Sequence, residues 1–306
     1  MAVLVARRLA QAAMILLGVA LVTFLLLHYL PADPAALIAG RNASAQMIAS
    51  VRHQLGLDLP LPLQFWRYFA GLLQGNLGRS YIQRSEVATL IAARIPATLV
   101  LMVTGILVEV ALGLTFGILA AVRRNGIVDR GVMMFAFVGV SSPQFVVALL
   151  LLYVFAAMLG WFPMSGYGTP AHVVLPALTL GLLGAGWYAR MVRSAMIDVL
   201  NQDYVRTARA KGLSRARVVL RHALPNALLP IVAMIGIDIG QFMGGVVVVE
   251  AVYGWPGIGQ LAWQAIQEVD VPIIMGVTLV SSLAIVLGNL LADVVAPALD
   301  PRIRSR

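Results

Sequence analysis

Cysteine is absent from this chain, which removes disulfides, thiolate metal sites and cysteine nucleophiles at once. Charge is scarce. Only 11% of the 306 residues are Asp, Glu, Lys or Arg, against about 25% in an ordinary soluble domain. The remainder is 60% hydrophobic with a mean hydropathy of +0.90, the composition of a membrane protein. Lysine occurs once, as Lys211, and Gly212 follows it. A phosphate-binding loop needs GxxxxGK followed by Ser or Thr, so the chain does not bind ATP in that way. The four histidines, His28, His53, His172 and His222, lie in separate segments without metal-ligand spacing, and neither HExxH nor GxSxG occurs. Nothing in the sequence builds a catalytic, cofactor or metal site, so the chain is read as a non-enzyme.

What is present is a series of long apolar runs. Residues 1–30 hold the first, Leu9 to Leu30 after Arg7 and Arg8, too long for the apolar region of a cleaved signal peptide and so read as a retained anchor. Residues 31–95 differ in kind. Turn residues in LPADPA, LGLDLPLP and GNLGRS and an aromatic cluster at Phe65, Trp66, Tyr68 and Phe69 predict an extramembrane insert of two or three short helices. Five further spans are expected within 96–299, at 97–122, 131–159, 173–192, 228–249 and 273–295, followed by a tail at 300–306. The segment from Glu250 to Val271 is a polar excursion between the last two. The fold class is therefore all-α, with six transmembrane helices and a helical insert after the first.

Six spans place both termini on one side of the membrane. Of the 22 Lys and Arg, 16 fall on that side and the other 6 all lie in the insert. Basic residues concentrate in cytoplasmic loops, so the termini are expected to be cytoplasmic and the insert outside. Topology thus accounts for the net charge of +9, and nucleic acid is not expected as a partner.

The densest charge lies in residues 203–225, DYVRTARAKGLSRARVVLRHALP. Asp203 is placed to cap a short helix whose last turn carries Arg209 and Lys211, Gly212 to end it with a left-handed residue, and Ser214 to cap a second helix running toward Pro225. An ordinary basic loop is the other reading. The spacing of Arg206-Thr207-Ala208, Gly212 and His222-Ala223-Leu224-Pro225 resembles the coupling loop of ABC importer permeases, with Arg206 in place of a Glu and His222 in place of an Ile. LPADPA, LGLD, PATL at Pro96 to Leu99, EAVYGWPGIG at Glu250 to Gly259 and DPRIR at Asp300 to Arg304 are similar, in matching order, to the dipeptide, oligopeptide and nickel permease branch of that family.

The resemblance implies a type I ABC importer permease of a bacterial inner membrane, pairing with a second homologous permease, two cytoplasmic ATPase subunits that bind ATP and Mg, and an extracytoplasmic binding protein, all in contact with lipid. It implies that the insert and residues 250–271 meet the loaded binding protein, and that the pathway faces outward with ATP bound and inward after its release. Asp203, Arg206, Thr207, Ala208, Lys211, Gly212 and Leu213 are the expected contacts to the ATPase. Small peptides are the expected cargo, with a chelated nickel ion as the alternative.

Ionisable side chains inside spans face protein or water, which singles out Glu109, Asp238 and Asp293. Asp238 shares a face with Gln241 beside Gly236, Gly240, Gly244 and Gly245. That face is read either as lining the pathway or as close helix packing with a local partner for the Asp. Ser141, Ser142, Pro143 and Gln144 loosen the third span, as a hinge or as a packing kink. Rival readings are a secondary transporter using Glu109 or Asp238 as proton carrier, which would show inverted repeats, and a scaffold whose basic element binds anionic lipid.

Overall fold

The computed structural model describes residues 2–29, 34–40 and 43–299, and among these every regular element is helical. Leu30 to Asp33 of LPADPA and all of DPRIR lie outside the described residues, as does the side chain of Asp293. In chain order the helices are α1 (Ala2–Tyr29), α2 (Pro34–Ala39), α3 (Ala45–Gln54), α4 (Leu61–Leu73), α5 (Val87–Val122), α6 (Ile127–Ser141) and α7 (Gln144–Leu151), which continues as a π-helix over Leu152–Met158. Then come α8 (Pro170–Leu200), α9 (Asp203–Ala210), α10 (Arg215–Arg217) with a π-helical continuation Val218–Ala223, α11 (Leu224–Ala227), α12 (Leu229–Met243), α13 (Val247–Val252), α14 (Ile258–Glu268) and α15 (Val271–Leu299).

Among the described residues three helices are long and apolar enough to cross a membrane unaided: Val87–Val122, Pro170–Leu200 and Val271–Leu290 of α15. Two bent pairs add to them, α6 with α7, and the helices from Arg215 to Ala227 with α12. The apolar stretch Ala10–Leu26 lies in α1. Several boundaries differ from the sequence expectation. Helix α5 begins at Val87, inside the expected insert, and carries Pro96 within it. Helix α8 runs on to Leu200, beyond the apolar run, because helical hydrogen bonding continues after hydrophobicity stops. The span expected to reach Val249 stops at Met243, where Gly244, Gly245 and Val246 break the helix.

The third expected span is not a loosened helix but two helices meeting at 106°. The cause is local. Pro143 restricts Ser142 to an extended backbone, with φ −83° and ψ 131°, and no helix continues through that residue. Pro143 then opens α7 from the N-cap position.

Helices α5 and α8 form the most extensive pair, and small residues let them approach. A Cβ on Gly117 would stand 2.6 Å from the Val192 Cβ and 2.8 Å from the Ala189 carbonyl oxygen, while one on Gly181 would overlap Val108. Lipid offers no hydrophobic drive between helices, so close van der Waals contact between such faces holds them. A second such pair is α12 with α15, where Gly240 sits against the Ile285 backbone.

The segment after α12 is organised by its own motif. Glu250 is fully buried and its carboxylate accepts from the Gln260 backbone N–H at 2.8 Å, with Thr98 Oγ1 3.4 Å away. Thr98 in turn accepts from the Ile258 N–H at 2.8 Å, and Trp255 Nε1 donates to the Ala97 carbonyl at 2.9 Å. Gly257 leaves the space the Glu250 carboxylate fills. The motif residues Glu250, Tyr253, Trp255 and Ile258 thus face inward and fold the loop onto the start of the second span; on α14, Trp263, Ile266, Gln267 and Glu268 are exposed. The insert is tied to the same region. Asp270 accepts from Ser80 Oγ and from the N–H groups of Tyr81 and Ile82, both at 3.2 Å. Helix α4 leans on α1 through Phe24, whose ring meets Phe65 edge-on at 5.3 Å and stacks with Tyr68 at 6.0 Å.

Candidate functional site

Two places bring together residues that the sequence singled out. The first is a cavity of about 320 Å³ among α5, α6, α7, α8 and α12. Glu109, Ser142, Gln144, Asp238 and Gln241 all line it, so five of the six pathway candidates converge from three separate stretches of chain. Ser141 does not line it. The glycines beside Asp238 belong to the opposite reading: Gly240 packs on α15, and Gly245, at φ +91°, lies against the Gly259 backbone. The polar face and the glycine face of α12 are therefore different faces, since residues 238 and 241 lie about one turn apart on one side and 236 and 240 on another.

Asp238 has a local partner as well as a place at the cavity: Tyr188 Oη donates to its Oδ2. Tyr188 comes from α8 and is fully buried. It was not singled out by the sequence, because nothing in a one-dimensional pattern pairs a tyrosine with a carboxylate 50 positions on. Glu109 lies across Gly184 of α8, its carboxyl occupying the place where a Cβ would stand. It is 5% exposed, and its Oε2 has no hydrogen-bond partner. Trp187 and Ile237, both more than half exposed, lie where the cavity meets the protein surface.

The second place is the basic element. Asp203 is not the cap. Gln202 occupies the N-cap position and Asp203 is the first helical residue, still inside the turn where an acid favours the helix dipole, with its carboxylate 3.5 Å from Arg206. Lys211 likewise sits one position past the helix end, as the C-cap. Gly212 has φ +75°, the left-handed residue expected there. Ser214 holds the N-cap position of α10 without a side-chain cap bond, its carbonyl accepting from the Val218 N–H at 3.0 Å. Arg206, Thr207, Lys211 and Gly212 are exposed. Ala208 is not: with Val205 and Val218 it forms a small buried cluster against which Leu213 is partly buried, so it seats the helix instead of presenting itself outward.

A further pair, joining α8 to α6, was not singled out from the sequence. Arg193 of α8 makes a two-pronged bond to Asp129 of α6, Nε to Oδ1 at 2.5 Å and Nη2 to Oδ2 at 2.7 Å, and Asp129 also accepts from the Asn125 N–H at 2.8 Å. A signal was available, since Asp129 is the one acid in the basic loop RRNGIVDR. Among the described residues no group of three or more His, Asp or Glu side chains could hold a metal ion.

Comparison with known proteins decides the family. Residues 113–305 match the binding-protein-dependent transport system inner membrane component, and residues 1–102 match its N-terminal companion. This chain belongs to that family. The permease is 47% identical over 289 residues to the glutathione transport system permease protein GsiC of Salmonella paratyphi A, covering 94% of each chain. It is 46% identical over 286 residues to GsiC of Escherichia coli K12, again covering 94% of each. Among solved structures it resembles an inward-facing conformation of the MetNI methionine ABC transporter, with a TM-score of 0.57 at 23% identity, covering 69% of this chain and 96% of that one. A second neighbour, an amino acid ABC transporter with histidines, gives 0.53 at 16% identity, covering 69% and 94%. These two likenesses show the fold. The permease is thus a multi-pass inner membrane component of an ABC importer with a type I fold, in a family whose ATPase is a separate subunit. Secondary transport and scaffolding are set aside by that membership.

Proposed function

We propose that this permease forms half of the pathway by which an ATP-driven importer takes up small peptides, glutathione among them. The observation that carries the cargo reading is the 47% identity, over 94% of both chains, to a glutathione transport permease. Glutathione is a tripeptide, which fits the peptide class and moves the emphasis away from dipeptides. On this reading a second, homologous permease covers the exposed side of the cavity, and an extracytoplasmic binding protein delivers cargo to the insert and to the exposed side of α14. Two ATPase subunits hold ATP and Mg, grip α9 through Asp203, Arg206, Thr207, Lys211, Gly212 and Leu213, and alternate the cavity between outward and inward access. Both termini and residues 203–225 face the cytoplasm in keeping with the distribution of basic residues, and the insert at 31–95 lies outside.

The test is reconstitution. The permease, its partner permease, the ATPases and the binding protein are placed in vesicles, and uptake of glutathione, dialanine and a nickel–histidine chelate is compared. ATP-dependent accumulation of glutathione is expected. Accumulation of nickel chelate alone would overturn the peptide reading, and accumulation against a gradient by this chain without ATPases would overturn the coupling reading as well.

A further inference from the structure

The cavity brings together two acids and no cationic side chain. Glu109 is buried with one carboxyl oxygen unpartnered, and leaving such an atom unmet in a low-dielectric site is costly. Asp238 presents a second carboxyl to the same space, and no Lys, Arg or His lines it. The two hydroxyls there have spent their protons elsewhere: Ser142 Oγ donates to the Val138 carbonyl at 2.7 Å and Tyr188 Oη to Asp238. Both oxygens keep lone pairs, so toward the cavity they are acceptors. Gln144 and Gln241 add amide N–H donors to the lining, but none of its side chains is a cation, so an occupant that matches the two carboxyls brings positive charge.

The walls decide what kind of cation. Leu180, Ile237 and Phe242 give the lining an apolar part suited to the carbon skeleton of an organic cation, while the Trp187 ring at the exposed side already carries the Arg190 guanidinium, 4.4 Å from its centroid. About 320 Å³ is the size of a small-molecule pocket, well beyond a bare ion. Two carboxylates also fall short of a cluster able to hold a metal.

We propose that this cavity is a station for the ammonium group of a peptide in transit, with Glu109 as its principal carboxylate partner and Asp238, oriented by Tyr188, as the second. The inference rests on the peptide-permease reading above. An ammonium carries three N–H donors, which match the free Glu109 oxygen, Asp238 and one neutral oxygen such as Gln241 or Ser142. The remainder of the peptide lies along the apolar wall. Gly184 is a positioning residue: any side chain there would displace the Glu109 carboxyl without altering charge.

The experiment uses the assembled transporter in nanodiscs, nucleotide-free and without its binding protein, with glutathione and N-acetylglutathione as probes in isothermal titration calorimetry. Wild type should bind glutathione at least about tenfold more tightly than the acetylated form. E109Q should weaken glutathione about tenfold and erase the difference between the two probes, and G184A should weaken glutathione while leaving N-acetylglutathione unchanged. Equal binding of both probes by wild type, wild-type affinity in E109Q, or no wild-type binding at about 10 mM overturns the station. The acetylated probe on wild type decides the matter even if E109Q fails to assemble. If the same assembly imports glutathione with ATP while showing any of these results, the station is wrong and the permease reading stands; if it imports no peptide at all, both fall.

Discussion

At the scale of single residues, Gly212 shows most directly how chemistry is set by backbone. It adopts φ +75°, and nothing lies within 4 Å of where a Cβ would stand. The requirement is therefore conformational, not steric. Gly212→Val should cost the turn about 1–2 kcal/mol, because a β-branched residue meets its own backbone in the left-handed region, whereas Gly212→Asn should be tolerated. In the reconstituted importer we expect the valine variant to assemble but to lose binding-protein-stimulated ATP hydrolysis and uptake together, and the asparagine variant to keep both. Equal uptake by the valine variant would show that the αL turn does not set the geometry of coupling. This glycine was legible in the sequence because a short helix with a basic last turn ends naturally at a left-handed residue. The inward turn of Ala208 was not, since an alanine in so short a helix carries no sign of which face is covered.

At the scale of elements, the insert is held to the membrane helices by the contact of Phe24 with the Phe65 and Tyr68 rings and by a polar clasp on Asp270. Asp270 collects Ser80 Oγ and two backbone N–H groups from a turn about 190 positions earlier, with the Asp270 and Ser80 side chains both buried. Asp270→Ala leaves those donors without a partner and should destabilise the insert by about 2–3 kcal/mol. A lower melting temperature in nanodiscs and faster proteolysis near residue 80 would report it. Tyr81 beside this clasp is pushed up to about 12, by burial first and by the Asp270 charge second. Its phenol is thus neutral in the fold at pH values where an unfolded tyrosine ionises. The stabilisation is full below ~10 and is lost as pH rises through about 12. Tyr81→Phe should flatten that alkaline loss in a melting-temperature series. Turn residues in the sequence announced the insert's short helices; the clasp was invisible, because its donors are mainly backbone groups and its acceptor lies across the membrane core in sequence.

For the whole molecule, the pair of Asp129 and Arg193 ties together α6 and α8, two of the helices that line the cavity. Asp129 is almost fully buried and Arg193 a quarter exposed, so removing the guanidinium strands a carboxylate. Arg193→Ala should cost about 2 kcal/mol of stability, and Arg193→Lys less, since lysine keeps the charge but not the two-pronged geometry. Thermal unfolding of the assembled transporter would separate them, and identical melting for all three would show that the tie does not bear on stability. The sequence by itself determined the class: apolar runs of membrane length, the absence of any nucleotide or catalytic motif, and a helix–glycine–helix pattern rich in arginine, all of which depend on local composition and spacing. Only the tertiary structure decided which intramembrane polar groups share a cavity, that the third span breaks through 106°, and that the glycines of α12 pack on α15 while Asp238 turns to Tyr188. The physical reason is that hydrophobicity and turn chemistry are properties of neighbouring residues, whereas the partner of a buried carboxylate is fixed by helix rotation and close packing, to which residues far apart in the chain contribute together.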